Sequence, residues 1–196
     1  MTMRVYLASA CACLLIAAIA CSTPAPASPD SGFRPTSTVK DIMDSIVDPS
    51  ADVLWDSVQV VVTASGTEER APKTDDEWKE VRRRAVSIVE ASNMLLVPGR
   101  HIARPGEKAE NPQIELAPER IEEMVNADRA QWTTLAHGLH DAGSAALKAI
   151  DERDKDALLY SGDGLDRACE NCHLKYWYPP DLLTKDPGAR DGSVRK

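Results

Sequence analysis

From Ser37 to Tyr178 the apolar residues recur at the helical period in segment after segment, and no window alternates in the manner of a strand. A chain patterned this way buries stripes rather than sheet faces, so its core is made of packed helices. The first segment runs from about Ser37 to Val62, with Val39, Met43, Ile46, Val53, Leu54 and Val61 on one face. Asp48-Pro49 interrupts it and predicts a kink, or a restart with Pro in the first turn. The second segment opens at Thr74, with Glu77 placed to close a capping box, and Pro98-Gly99 ends it. Its face is Trp78, Val81, Ala85, Ile88, Val89, Leu95 and Leu96. The third runs from about Pro118 to Glu152, with Ile121, Val125, Trp132, Leu135, Ala136, Leu139, Ala146 and Ile150 in its stripe. The fourth runs from about Lys155 to Tyr178, where Pro179-Pro180 stops it. Leu158, Leu165, Cys169, Cys172, His173 and Tyr176 keep one phase across Gly162 and Gly164, which favours a continuous helix. The single Phe and four Tyr fit a β-sandwich poorly. The expected fold is all-α, an antiparallel four-helix bundle over residues 37–180.

The stretches outside this domain read differently. MTMRVYLASACACLLIAAIACS has one Arg, then an apolar run from Val5 to Ala20 and a small-residue exit, as a secretory signal over residues 1–20 does. The run is short for a membrane span, which takes about 20 apolar residues. Ala18, Ile19, Ala20 and Cys21 resemble a bacterial lipobox. That predicts a lipid on Cys21 and a lipid-anchored protein on the periplasmic side of a bacterial membrane, with plain signal cleavage or an uncleaved anchor as the other readings. Residues 21–36 are Pro- and Ser-rich and read as a disordered linker after the lipidated Cys. Residues 181–196 form a polar tail.

The chain carries a formal charge of -8 at pH 7, a surface poorly suited to nucleic acid or anionic lipid. It suits a basic partner, or serves solubility alone. Of five cysteines, Cys11 and Cys13 leave with the signal and Cys21 takes the lipid. Only Cys169 and Cys172 stay in the exported domain, so a disulfide framework does not explain them.

Those two lie in DRACENCHLKYWYPP, where C-x-x-C-H is the attachment pattern of c-type haem. Each thiol adds to one vinyl group, and the next residue, His173, binds iron from the proximal side. Two other uses share the pattern. A redox dithiol normally follows a strand and opens a helix, whereas this pair sits late in a helical segment. A zinc site needs a fourth ligand, and no other cysteine remains to supply it. No nucleophile–base pair, phosphate loop or carboxylate constellation points to an enzyme.

A haem motif on the last helix of a four-helix bundle resembles the class II c-type cytochromes, the cytochrome c′-like fold. The resemblance covers about Ser37 to Pro180 and rests on CENCH, the following Tyr176 and the helix order. In an up-down-up-down bundle Met43, Met94 and Met124 share the level of the haem, and Met43 sits nearest the centre of its stripe. In the Met-ligated, low-spin branch of the family the sixth ligand is a Met early in the first helix, and Met43 in VKDIMDSIVDP matches it. The competing role for Met43 is core packing, with the iron left five-coordinate. Arg34, Arg100 and Arg104 are candidates to pair with the haem propionates, and Tyr176 to pack on the porphyrin. His137 faces away from the stripe, His140 lies beyond its edge, and both read as surface.

The expectation is a monohaem electron carrier tethered to a membrane, exchanging electrons with a redox partner protein. The other reading is a five-coordinate module that binds or senses NO or CO. The resemblance also implies pairing of two copies through the first two helices.

Overall fold

A computed structural model describes residues 32–180. The expected signal, Cys21, most of the linker and the polar tail lie outside the described residues. The chain between is mostly helical, with one small two-stranded sheet.

Thr38 starts the helical part with a capping box. Its Oγ1 accepts from Asp41 N–H at 3.1 Å, and the Asp41 carboxylate accepts from Thr38 N–H at 3.0 Å. The short helix α1 (Val39–Ile42) runs into a π-helical turn over Met43–Val47, and α2 (Asp48–Ser57) follows. Pro49 explains the break. It lacks an N–H and its ring crowds the carbonyl one turn back, so the chain widens before Pro49 settles into the first turn of α2. The expected restart at Asp48-Pro49 therefore appears, with a π turn ahead of it.

The first helical segment is shorter than its pattern implied. It ends at Ser57, and Gln59–Thr63 (β1) pairs antiparallel with Gly66–Arg70 (β2), Val60 opposite Glu69 and Val62 opposite Thr67. This corrects the expectation of an all-helical chain and of a helix reaching Val62. Three consecutive β-branched valines, then Ala64-Ser65-Gly66 with Gly66 at φ +139°, favour a hairpin over another helical turn. Val61, placed on the apolar stripe by its spacing, is exposed.

Thr74 and Glu77 cap α3 (Asp75–Met94) as expected. The third segment is two helices, α4 (Pro118–Ala127) and α5 (Arg129–Asp151). Asp128 leaves helical geometry between them, and its side chain accepts from Gln131 N–H at 3.0 Å to cap α5. The last helix, α6 (Lys155–Tyr176), is continuous through both glycines. Gly162 has a packing reason: a Cβ there would lie 3.3 Å from Trp55 Cδ1, and Trp55 Nε1 donates to Gly162 O at 3.3 Å.

α5 packs between α3 and α6, and α2 packs on α3 and touches α6. The α3–α5 approach is close, since a Cβ on Gly143 would meet Ile88 Cγ2 and Val89 Cγ2 at 3.1 Å each. Trp132, Tyr176, Ile42, Ile88, Leu158 and Leu165 are fully buried in the shared core. Each large apolar side chain removed from water contributes on the order of 2–3 kcal/mol. The long connection between α3 and α4 is tied to the start of α1 and to the end of α6. His101 O and Ile102 O accept from Val39 N–H and Lys40 N–H at 2.9 and 3.0 Å, which satisfies orphan donors at the start of α1. Leu116 N–H donates to Trp177 O at 2.7 Å, just past α6. Among the described residues no helix is long and apolar enough to cross a membrane.

Candidate functional site

The last turns of α6 form one wall of a cavity of about 220 Å3. Cys169 and Cys172 lie one turn apart on that wall, and His173 follows the second. Leu95, Trp132, Leu135, Ala136 and Leu139 give the cavity an apolar lining from α3 and α5. Met43, Val47, Ala51 and Trp55 close it from the π turn and α2. Its polar lining is acidic: Asp48, Asp166 and Glu170, with no Lys or Arg. A second cavity of about 180 Å3 shares Met43, Asp48, His173 and Trp177 with the first. The α3–α4 connection lines it, through Ile102, Lys108, Glu110 and Leu116 among others.

Burial sets the chemistry of the wall. No disulfide joins the two cysteines. Desolvation is the largest influence on each, and pushes Cys169 up to about 11 and Cys172 up to about 12. Burial also lowers the His173 pKa against the opposing pull of Asp48, so its imidazole is held neutral. Asp48 is itself raised, first by desolvation, and the nearby Asp44 and Asp52 add to that. Two aromatic rings flank the imidazole, Trp177 with its centroid at 5.9 Å and Tyr178 at 5.8 Å. Tyr178 Oη donates to Glu170 Oε2 at 2.8 Å, which fixes the second ring.

Tyr176 lies one turn beyond His173, fully buried, edge-on to Trp132 with centroids 5.3 Å apart. Trp132 Nε1 has a partner, donating to Leu95 O at 3.0 Å. The Tyr176 hydroxyl is buried with no hydrogen-bond partner. Such an orphan is costly unless another group reaches it.

The structure brings Met43, Cys169, Cys172 and His173 to one cavity, with Tyr176 packed behind it. Met94 and Met124 pack against the core and line neither cavity. Nor do the three arginines line either one. Arg100 donates from Nε to Met94 O at 2.8 Å and from Nη1 to Ser37 O, so its guanidinium pins backbone. Arg104 pairs with Asp41, the carboxylate of the first capping box. Arg34 offers its carbonyl to Thr36 Oγ1 at 3.5 Å. His137 is exposed and His140 half-buried, away from the cavities.

Sequence reasoning missed Asp48, Trp55 and Lys108. Trp55 had a readable signal, because two glycines in an otherwise regular helix imply a neighbour pressed against it. Lys108 had none, since it lies in a connection without period. No family model matches the chain, and no curated protein or solved structure matches it.

Proposed function

We propose that this protein is a monohaem c-type cytochrome of the class II, four-helix-bundle kind, a membrane-tethered electron carrier working outside the cytoplasm. The observation that carries the reading is the convergence of Met43, Cys169, Cys172 and His173 on one largely apolar cavity. Two thiols and a neutral imidazole on one face of α6 are the donor set that haem c requires. The apolar walls suit a porphyrin, and the orphan Tyr176 hydroxyl sits beside the same helix end.

In this reading Cys169 and Cys172 would hold the haem through thioethers, and His173 and Met43 would supply the ligands to its iron. The haem, when bound, supplies one-electron chemistry. The protein's part is to exclude water with Trp55, Trp132, Leu135 and Leu139, and to hold the imidazole between Trp177 and Tyr178. A thioether ligand raises the reduction potential and leaves no vacant position, which suits a carrier. The tether rests on Cys21, and the net charge of -8 suits a basic redox partner.

The other uses of the motif find less support. Both thiols are pushed up, whereas a redox dithiol needs at least one pushed down. Among the described residues no three His, Cys, Asp or Glu side chains are grouped to hold a metal ion, as a zinc site needs.

The test is the full chain expressed with bacterial haem-attachment machinery. The expected product is red, carries the mass of one porphyrin and shows a low-spin spectrum when oxidised. A colourless mature protein without that added mass overturns the reading. A high-spin protein whose reduced form takes up CO replaces it with the five-coordinate NO/CO-binding reading.

A further inference from the structure

The hairpin leaves one edge of each strand without a backbone partner among the described residues. Natural sheets blunt such edges with charge, and the two edges differ in this. β2 carries Glu68, Glu69 and Arg70, whereas β1 reads QVVVT and carries no charge. Val60, Val61 and Val62 are all exposed, so both faces of β1 meet water. A groove of about 450 Å3 runs beside the strand. Consecutive residues from Val58 to Val61 line it and no residue of β2 does, so the free edge of β1 borders the groove, not a face of the hairpin. Leu54 and Trp55 of α2 and Leu158 and Leu159 of α6 add apolar walls.

We propose that this edge takes the β1 strand of a second copy of the chain, joining two hairpins into one antiparallel four-stranded sheet across a two-fold axis. The sequence of β1 is complementary to itself. With the axis at Val61, that residue meets the partner's Val61, Val60 meets the partner's Val62, and Gln59 meets the partner's Thr63. The central pairs are all β-branched and no charge opposes another. The same operation on β2 sets Glu68 against the partner's Glu68, which like charge opposes. Strand pairing alone covers little surface, and the apolar walls of the groove add to it. Each copy carries a formal charge of -8, so salt tightens the pairing by screening the repulsion between copies. The interface is separate from the haem reading, because no residue of β1 lines a cavity that His173 lines. It also differs from the pairing through the first two helices that the family resemblance implies.

The experiment uses the full-length chain in a density-matched detergent, with circular dichroism to establish that each variant folds. Sedimentation equilibrium is expected to give twice the chain mass for the wild type and for Thr67→Lys, an exposed control on β2. Val61→Lys sets two ammonium groups against each other and is expected to give the mass of one chain at the same concentration. Cysteine crosslinking reads the register. Mild oxidation of Val61→Cys links two copies at least about tenfold more than oxidation of Thr67→Cys or Val60→Cys, whose own copies lie beyond disulfide reach in this register. A wild type of single-chain mass at every concentration overturns the proposal. So does a dimer that survives in folded Val61→Lys, since it pairs through another face. Val61→Cys that links only to a different protein, or no better than Thr67→Cys, overturns it as well. None of these readouts needs haem, so the cytochrome reading stands or falls separately.

Discussion

Met43 and His173 line the same two cavities, one from the π turn near the start of the described chain and the other from the last turn of α6. Of the three methionines that sequence alone set at this level, Met43 is the one so placed. The π turn runs from Met43 up to the restart of α2, with Asp48 N–H donating to Met43 O. A local defect forced by a proline thus fixes the backbone of the proposed ligand.

On the haem reading proposed above, replacing Met43 by Ala converts the haem-loaded, oxidised protein from low spin to high spin, and its reduced form then takes up CO. Met124→Ala, which alters a core contact away from both cavities, leaves the spectrum as it was. Absorption spectra of the two variants check this. A low-spin spectrum in Met43→Ala returns Met43 to simple packing.

The haem-free protein is most stable in a window between about pH 6.5 and about pH 8.5, the ordinary imidazole and thiol values. His173 is lowered by burial, so its contribution is complete above the ordinary imidazole value and is lost as pH falls. Below that value the unfolded chain takes up a proton that the folded one resists. Cys169 and Cys172 are raised, so their contribution is complete below the ordinary thiol value and is lost as pH rises toward about 11 and about 12. Urea midpoints across pH read both limbs. The alkaline limb flattens in Cys169→Ser/Cys172→Ser, and the acid limb flattens in His173→Phe.

The same burial makes the folded, haem-free thiols poor nucleophiles. Iodoacetamide at pH 8 modifies them at least about tenfold more slowly than it modifies the urea-unfolded chain. Alkylation rates followed by mass spectrometry decide the matter, and equal rates in the two states contradict the partly buried placement.

Tyr176→Phe removes an unpartnered buried hydroxyl, so stability is unchanged or rises by up to about 1 kcal/mol. Denaturant titrations measure it, and a loss of about 1 kcal/mol or more shows that the hydroxyl has a partner.

Two glycines of α5 respond in opposite senses. Gly143→Leu drives a side chain into Ile88 and Val89 and costs about 1–3 kcal/mol. Gly138 has nothing within 4 Å of where its Cβ would stand, so Gly138→Ala stabilises the helix by about 0.5–1 kcal/mol. Thermal melts of the pair check the α3–α5 contact.

Much of the helical framework was legible because each stripe repeats at a period that only a helix can bury. Trp78, Ile88, Trp132, Leu158 and Tyr176, all read as inward-facing, are buried. Thr74 with Glu77 marked one helix start to the residue. Val61 was misread because three consecutive valines satisfy a helical wheel as readily as a strand, and the hairpin turn that decides between them lies outside the apolar pattern. Asp128 was missed for the opposite reason. Its break leaves the stripe in phase on both sides, so periodicity does not register it. That Cys169, Cys172 and His173 would line one cavity was legible because residues three and four apart share a helix face. The partners of Arg100 and Arg104 were not, since they are backbone carbonyls and a capping carboxylate that only the folded chain brings within reach.

The hairpin has a practical use. Its turn around Ala64 and Ser65 is exposed, and neither residue lines a cavity that His173 lines. It offers a handle where a surface linker or dye can be attached with the cavities beside His173 left clear.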